Sequence, residues 1–156
     1  MLLAVDPGRD KVGWAAGTDR GELIGSGILL GKSAPAGLKA LLAGGPRPAD
    51  CTVNEGSWPA ERPRAVLLGN GTWSDKFREL LLGLGASPVL VDEKNTTLQA
   101  RSLYWGIHPP RSWRRLIPLS LQTPPRPLDD LAALCILRRY LQSGSEQSVQ
   151  SSCEGD

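Results

Sequence analysis

The sequence predicts an α/β protein: a five-stranded mixed β-sheet, three antiparallel strands followed by parallel ones, flanked by helices. Three observations carry this. Short apolar runs separated by tight turns fill residues 2–30. Beyond them, apolar strand-like runs alternate with segments whose apolar residues recur at helical spacing. The composition, 40% hydrophobic and 22% charged over 156 residues, is that of one globular domain with a real core.

Taken in order, Leu2 to Asp6 reads as a buried strand, and Gly8-Arg9-Asp10 as a tight turn. Lys11 to Ala16 is a second strand, Thr18-Asp19-Arg20-Gly21 another turn, and Glu22 to Leu30 a third strand. Short turns between consecutive strands make an antiparallel meander. Ser33 to Ala43 places Leu38, Leu41 and Leu42 on a helix that stops at Gly44-Gly45. Residues 45–63 hold Pro46, Pro48, Pro59 and Pro63 and read as an irregular connection, long for a compact domain.

Arg64 to Gly69 is a short apolar strand. Thr72-Trp73-Ser74-Asp75 resembles a capping box opening a helix to about Leu84. Ser87 to Val91 is the next strand, and Asn95-Thr96-Thr97 can cap a helix running to about Trp105. A proline-rich crossing spans Pro109 to Pro127. The last helix covers roughly Leu128 to Gln142, with Leu131, Leu134, Cys135 and Leu137 as its core stripe. Strands linked through helices join a sheet in parallel by right-handed crossovers. The domain is expected over residues 1–142, with 143–156 as a disordered acidic tail rich in Ser, Gln and Gly.

Several classes are set aside by composition. No stretch is long enough to cross a membrane, and Met1-Leu2-Leu3 runs directly into Asp6 with no basic start and no cleavage site. A cytoplasmic protein with no membrane partner is expected. Cys51, Cys135 and Cys153 are odd in number and lack C-x-x-C spacing, so reduced thiols are expected rather than a disulfide or zinc site. All 18 Lys and Arg residues precede the tail, so the body of the chain is more basic than its net charge of +2. From Lys94 to Arg126 there are Lys94, Arg101, Arg111, Arg114, Arg115 and Arg126 and no acid. Such a block suits a polyanion, although a solvated basic surface is an equally ordinary use of it.

The chemistry-bearing residues are acids at the ends of elements. Asp6 closes an apolar strand and is followed at once by Pro7-Gly8. A carboxylate there is costly to desolvate without a partner, and a cation is the obvious one. Asp92-Glu93 follows Val89-Leu90-Val91, and Asp129-Asp130 heads the last helix. Each has a plain structural use: a turn for Asp6, a cap for Asp92-Glu93, first-turn acids for Asp129 and Asp130. Together they are the raw material of a divalent-metal site. Carboxylates brought close repel, and a pair of Mg²⁺ or Mn²⁺ ions removes that conflict while favouring oxygen donors. Two such ions can stabilise both the attacking water and the leaving oxygen at a phosphodiester.

Three segments also resemble one family. Asp6-Pro7-Gly8-Arg9-Asp10-Lys11-Val12-Gly13-Trp14-Ala15 is similar to the opening strand-turn-strand of the YqgF (RuvX) proteins and their relative, the RuvC Holliday-junction resolvase. Val91-Asp92-Glu93-Lys94-Asn95-Thr96-Thr97-Leu98-Gln99-Ala100 resembles the YqgF segment in which a strand-end glutamate precedes paired threonines and a helix. Leu128 to Leu137 resembles that family's closing acidic helix, and the likeness spans about residues 2–142. The resemblance implies an RNase H-like fold and a metal-dependent nuclease, with Mg²⁺ or Mn²⁺ as two bound ions. It makes Asp6, Glu93 and Asp129 the catalytic metal ligands, with Asp130 as an additional acid. Resolvases of the RuvC type carry a second acid one turn on in the last helix, where this chain has Ala132. That departure favours a YqgF-like site.

The nucleic-acid-binding set expected beside these acids is Arg9 and Lys11 in the first turn, Lys94 and Thr96 after Glu93, then Arg101, Arg111, Trp113, Arg114 and Arg115. Arginines interleaved with aromatics can hold phosphates and stack bases. Trp105 is the aromatic more suited to packing the last helix on the sheet, and His108, the only histidine, reads as a surface or packing residue. The expected substrate is RNA, ribosomal RNA maturation in particular, or branched DNA. A second copy of the chain stays open as a partner. Two other classes compete. A non-catalytic nucleic-acid-binding module would keep the fold and the basic block. Sugar-kinase-like and actin-like ATPases share the opening strand-turn-strand but need two such lobes to clamp a nucleotide.

Overall fold

The structure is a computed structural model that describes residues 1–92, 96–118 and 121–153; side chains at 96, 97, 113 and 145–153 fall outside that description. It is an α/β fold with one mixed, open sheet. The strands are β1 (Leu2–Asp6), β2 (Lys11–Gly17), β3 (Leu23–Leu30), β4 (Glu55–Gly56), β5 (Ala65–Gly69) and β6 (Val89–Val91). Helices α1 (Ala34–Ala43), α2 (Ser74–Gly83), α3 (Thr96–Ile107) and α4 (Asp129–Cys153) flank it, and a short 3₁₀ helix covers Ser112–Leu116.

The sheet order is β4-β3-β2-β1-β5-β6. β1, β2 and β3 form the antiparallel meander, and β5 and β6 add in parallel on the other side of β1. The strand count corrects the expected five to six. Glu55 and Gly56 pair antiparallel with Ser26 and Gly25 at the β3 edge. Two residues leave no alternation to read, so this strand has no local signal. Its neighbourhood is built by contacts across the chain: Asn54 N–H donates to the Ser26 carbonyl (2.7 Å), and the Thr52 hydroxyl donates to that of Ile28 (2.8 Å). The connection expected to be irregular is thus pinned along β3. Trp58 also donates to the Gly45 carbonyl (2.9 Å) and meets Trp14 edge-on.

Alternation along the strands divides the core in two. Leu3, Val5, Val12, Trp14 and Leu68 face α1 and α2, meeting Leu38, Leu41, Phe77 and Leu81. Leu2, Ala4, Ala15 and Leu67 face the other way, into Ala100, Tyr104 and Trp105 of α3 and the buried run Leu131–Leu137 of α4. Trp105 therefore packs the last helix, as its setting implies. β2 shows why α4 comes so close: its α4-facing residues are Gly13, Ala15 and Gly17. A Cβ at Gly17 would stand 3.0 Å from a Leu137 methyl, and one at Gly13 would collide with the Asp129 carbonyl oxygen.

Two helix boundaries differ from expectation. α2 begins at Ser74 behind Trp73 without a side-chain cap, so the Thr72 capping box does not form. α4 passes Gln142 and continues through Cys153, into the segment expected to be a tail. α1 ends as expected, at Gly44 in the left-handed region (φ 63°).

Candidate active site

Asp6 is the last residue of β1 and pairs directly with Gly13 of β2. Directly opposed residues in an antiparallel pair share a face. Leu2 and Ala4, four and two residues earlier, face α4, so Asp6 does too. The missing side chain at Gly13 lets the Asp129 backbone settle beside that pair. Asp6 and Asp129 consequently line one cavity of about 260 Å³, with Arg101, Arg126, Thr123, Pro124, Leu128, Ala100 and Ala132. Two of the three expected ligands, and one of the expected nucleic-acid contacts, Arg101, are brought together. Glu93 and Lys94 lie outside the described residues, as does the Thr96 side chain.

The adjacent acids on α4 have different surroundings. Asp129 is half-buried in the cavity wall and has no ion pair among the described residues. Asp130 is fully buried. Its Oδ2 accepts from the Ser26 hydroxyl (3.0 Å), and its Oδ1 accepts from the Arg126 guanidinium (2.7 Å). Helical neighbours point about 100° apart, so the two carboxylates serve different partners. Asp130, expected as an additional acid, does not line the cavity.

Arg126 reaches further. Its second terminal nitrogen donates to Glu55 Oε1 (2.7 Å), and its guanidinium lies 5.5 Å from the Tyr104 ring centre. His108 Nε2 contacts the same Glu55 oxygen at 2.7 Å. Burial pushes the Glu55 carboxyl up, but hydrogen bonds from His108 and Arg126 and their charges outweigh it and hold the group below its usual range. Burial likewise works against the Arg126 cation, and Asp130 and Glu55 more than offset it, raising its pKa. Sequence reasoning missed Glu55 and Arg126 as partners and read His108 as a surface or packing residue. Arg126 and Glu55 are 71 positions apart, and Ser26 and Asp130 are 104 apart, so no local pattern announces either contact.

The other expected residues are more dispersed. Arg9 and Lys11 are exposed beside the β1–β2 turn. Arg111, Arg114 and Arg115 are exposed around the 3₁₀ helix, and the Trp113 side chain lies outside the description. That helix is fixed by Gln122, whose amide donates to the carbonyls of Arg114 and Ile117 at 2.8 Å each.

As a cation site, the cavity offers two carboxylates, hard oxygen donors suited to Mg²⁺ or Mn²⁺. Among the described residues no group of three or more His, Cys, Asp and Glu stands ready to hold a metal. Burial pushes the Cys135 thiol, near Asp6, up to about 11, opposed by Arg138 and Arg139 and assisted by Asp6, so it stays protonated at neutral pH. No helix among the described residues is long and apolar enough to cross a membrane. No protein-family model matches the chain, and no curated protein matches it.

Proposed function

We propose that this protein is a metal-dependent nuclease of RNase H-like fold, related to the YqgF and RuvC proteins, that hydrolyses phosphodiester bonds in structured or single-stranded nucleic acid. The observation that carries the reading is the shared cavity of Asp6 and Asp129, which come from chain segments far apart in sequence. The sheet order supports it: a three-stranded meander extended in parallel beside β1, with the last helix across the face that Asp6 points from.

Asp6, Asp129 and Glu93 are the residues that would hold the ions, and the two carboxylates of the cavity suit that role. Bound Mg²⁺ or Mn²⁺ would supply an activated water and charge stabilisation at the leaving oxygen. The side chains do the rest. Asp6 and Asp129 hold negative charge at one spot. Arg101 on the cavity wall attracts and orients a phosphate. Arg111, Arg114 and Arg115, displayed on the turn that Gln122 pins, extend the positive surface along a strand of nucleic acid. Ribosomal RNA processing and junction cleavage are the substrates this reading favours, in the cytoplasm.

The test is a cleavage panel with Mn²⁺ or Mg²⁺ on single-stranded RNA, duplex RNA, single-stranded DNA and a four-way DNA junction. Cleavage of at least one substrate that disappears in Asp6→Asn and in excess chelator is expected. Full activity under either condition overturns the mechanism. Metal-independent binding with no cleavage of any substrate would instead support a non-catalytic binding module, which the exposed arginines also favour.

A further inference from the structure

We propose that Arg126 is a positioning residue: clamped between Glu55 and Asp130, it fixes the first turn of α4 and so holds Asp129 in place opposite Asp6. This deepens the reading of the site given above and rests on it only for its cation readout.

Ala4, Ala15, Ser26 and Glu55 are directly paired, strand to strand, from β1 out to the β4 edge. They therefore share the face that α4 covers. The inner members of this row are alanines, which let α4 lie close, and the outer two are polar. Ser26 and, through Arg126, Glu55 converge on Asp130. The first turn of α4 is thus tied to the sheet at Gly13 by backbone packing and at Ser26 and Glu55 by polar contacts. Asp129 sits between the two anchorages.

The guanidinium suits this work because its two terminal nitrogens part company: one serves Asp130 and the other Glu55. A lysine ammonium is a single point on a flexible stem and lacks the planar fork. The guanidinium lies over the Tyr104 ring, and His108 holds the same Glu55 oxygen. A cation on the wall of a cavity built from carboxylates would by itself repel a metal ion. Here two acids, Asp130 and Glu55, balance it. Buried ion networks are weak contributors to net stability, and their better-attested use is to fix one arrangement.

The experiment compares full-length wild type, Arg126→Lys, Arg126→Gln and Glu55→Gln by two readouts. The first is Mn²⁺ affinity by calorimetry. The second is hydrogen exchange, without metal, at the Ala132 amide, which donates to the Leu128 carbonyl at 2.8 Å. Arg126→Lys keeps the charge and loses the fork. It should weaken Mn²⁺ binding about 10-fold, within the span for groups that orient a ligand, and speed Ala132 exchange; Arg126→Gln should do the same. Wild-type affinity and exchange in Arg126→Lys would overturn the proposal. So would tighter Mn²⁺ binding by Arg126→Gln, the mark of simple charge repulsion. If wild type itself binds no Mn²⁺, the metal reading fails, and the exchange comparison alone decides whether Arg126 positions the turn. Should an Arg126 variant not fold, Glu55→Gln, which leaves Asp130 paired, carries both readouts.

Discussion

Two cross-strand rows of the same sheet face, one step apart along the strands, meet the first turn of α4 in opposite ways. The row of Asp6 and Gly13 meets it with a part-exposed carboxylate and no side chain at all. The row of Ala15, Ser26 and Glu55 meets it with a buried hydroxyl and a part-buried ion pair. Asp129 belongs to the first encounter and Asp130 to the second. Identical neighbouring residues thus come to differ in what they can do: Asp130 has its oxygens occupied, whereas Asp129 opens to a cavity. The sequence resemblance ranks Asp129 ahead of Asp130, but only their surroundings show the second acid to be an anchor.

The sharpest way to break this contrast is to neutralise each acid in turn. Asp129→Asn should lower metal-dependent cleavage by more than about 100-fold, beyond the range seen for groups that merely orient a ligand, with the urea midpoint nearly unchanged. Asp130→Asn should do the reverse first: a loss of about 3 kcal/mol in urea unfolding, because it breaks an ion pair whose acid is fully buried and leaves the part-buried Arg126 with one acid fewer. Equal stability loss in the two variants would erase the distinction.

A smaller effect is expected at Gly13. Gly13→Ala forces a methyl against the Asp129 carbonyl, and such overpacking costs about 2 kcal/mol. Cleavage should fall as well, because α4 must retreat from Asp6; stability and cleavage both at wild-type level would show that the contact is slack. Smaller again is the contribution of the pinned turn. The double substitution Arg114→Ala and Arg115→Ala should weaken nucleic-acid binding and flatten the salt dependence of log K by about 2 units, roughly 1 per lost phosphate contact. An unchanged salt slope would remove the turn from the binding surface.

The last prediction concerns pH. Glu55 is held below its ordinary value of 4.5 in the fold, so its contribution is fully present above that value and is lost as pH falls through the lower folded value. Glu55→Gln should therefore flatten the acid limb of the stability curve below about pH 4.5. A limb as steep as that of wild type would place the acid sensitivity elsewhere.

How far these features are legible in the sequence follows from the range of the interactions. The run Leu2–Val5 closing on Asp6, the meander, the parallel strands behind it and the buried stripe of the last helix all rest on periodicity within a few residues. The pairing of Asp6 with Asp129 follows from sheet topology, which those elements constrain. Glu55 is another matter. It sits in a two-residue strand amid prolines, and its partners Arg126 and His108 are 71 and 53 positions away. Gly13 lies between, because a glycine in a strand signals a close approach without naming what approaches.

The contact at Gly13 also bears on how steady the site is. Most distances between functional groups depend on side chains in the packing between their elements, each with rotamers to explore. Here main chain rests on main chain, and no rotamer intervenes. The gap between β1 and the head of α4 thus inherits the stiffness of a strand and a helix. Loosening the distant core by a methylene should leave that gap as it is, whereas one methyl at residue 13 resets it. Any attempt to transplant this carboxylate pair to another scaffold must carry the glycine along with the two acids.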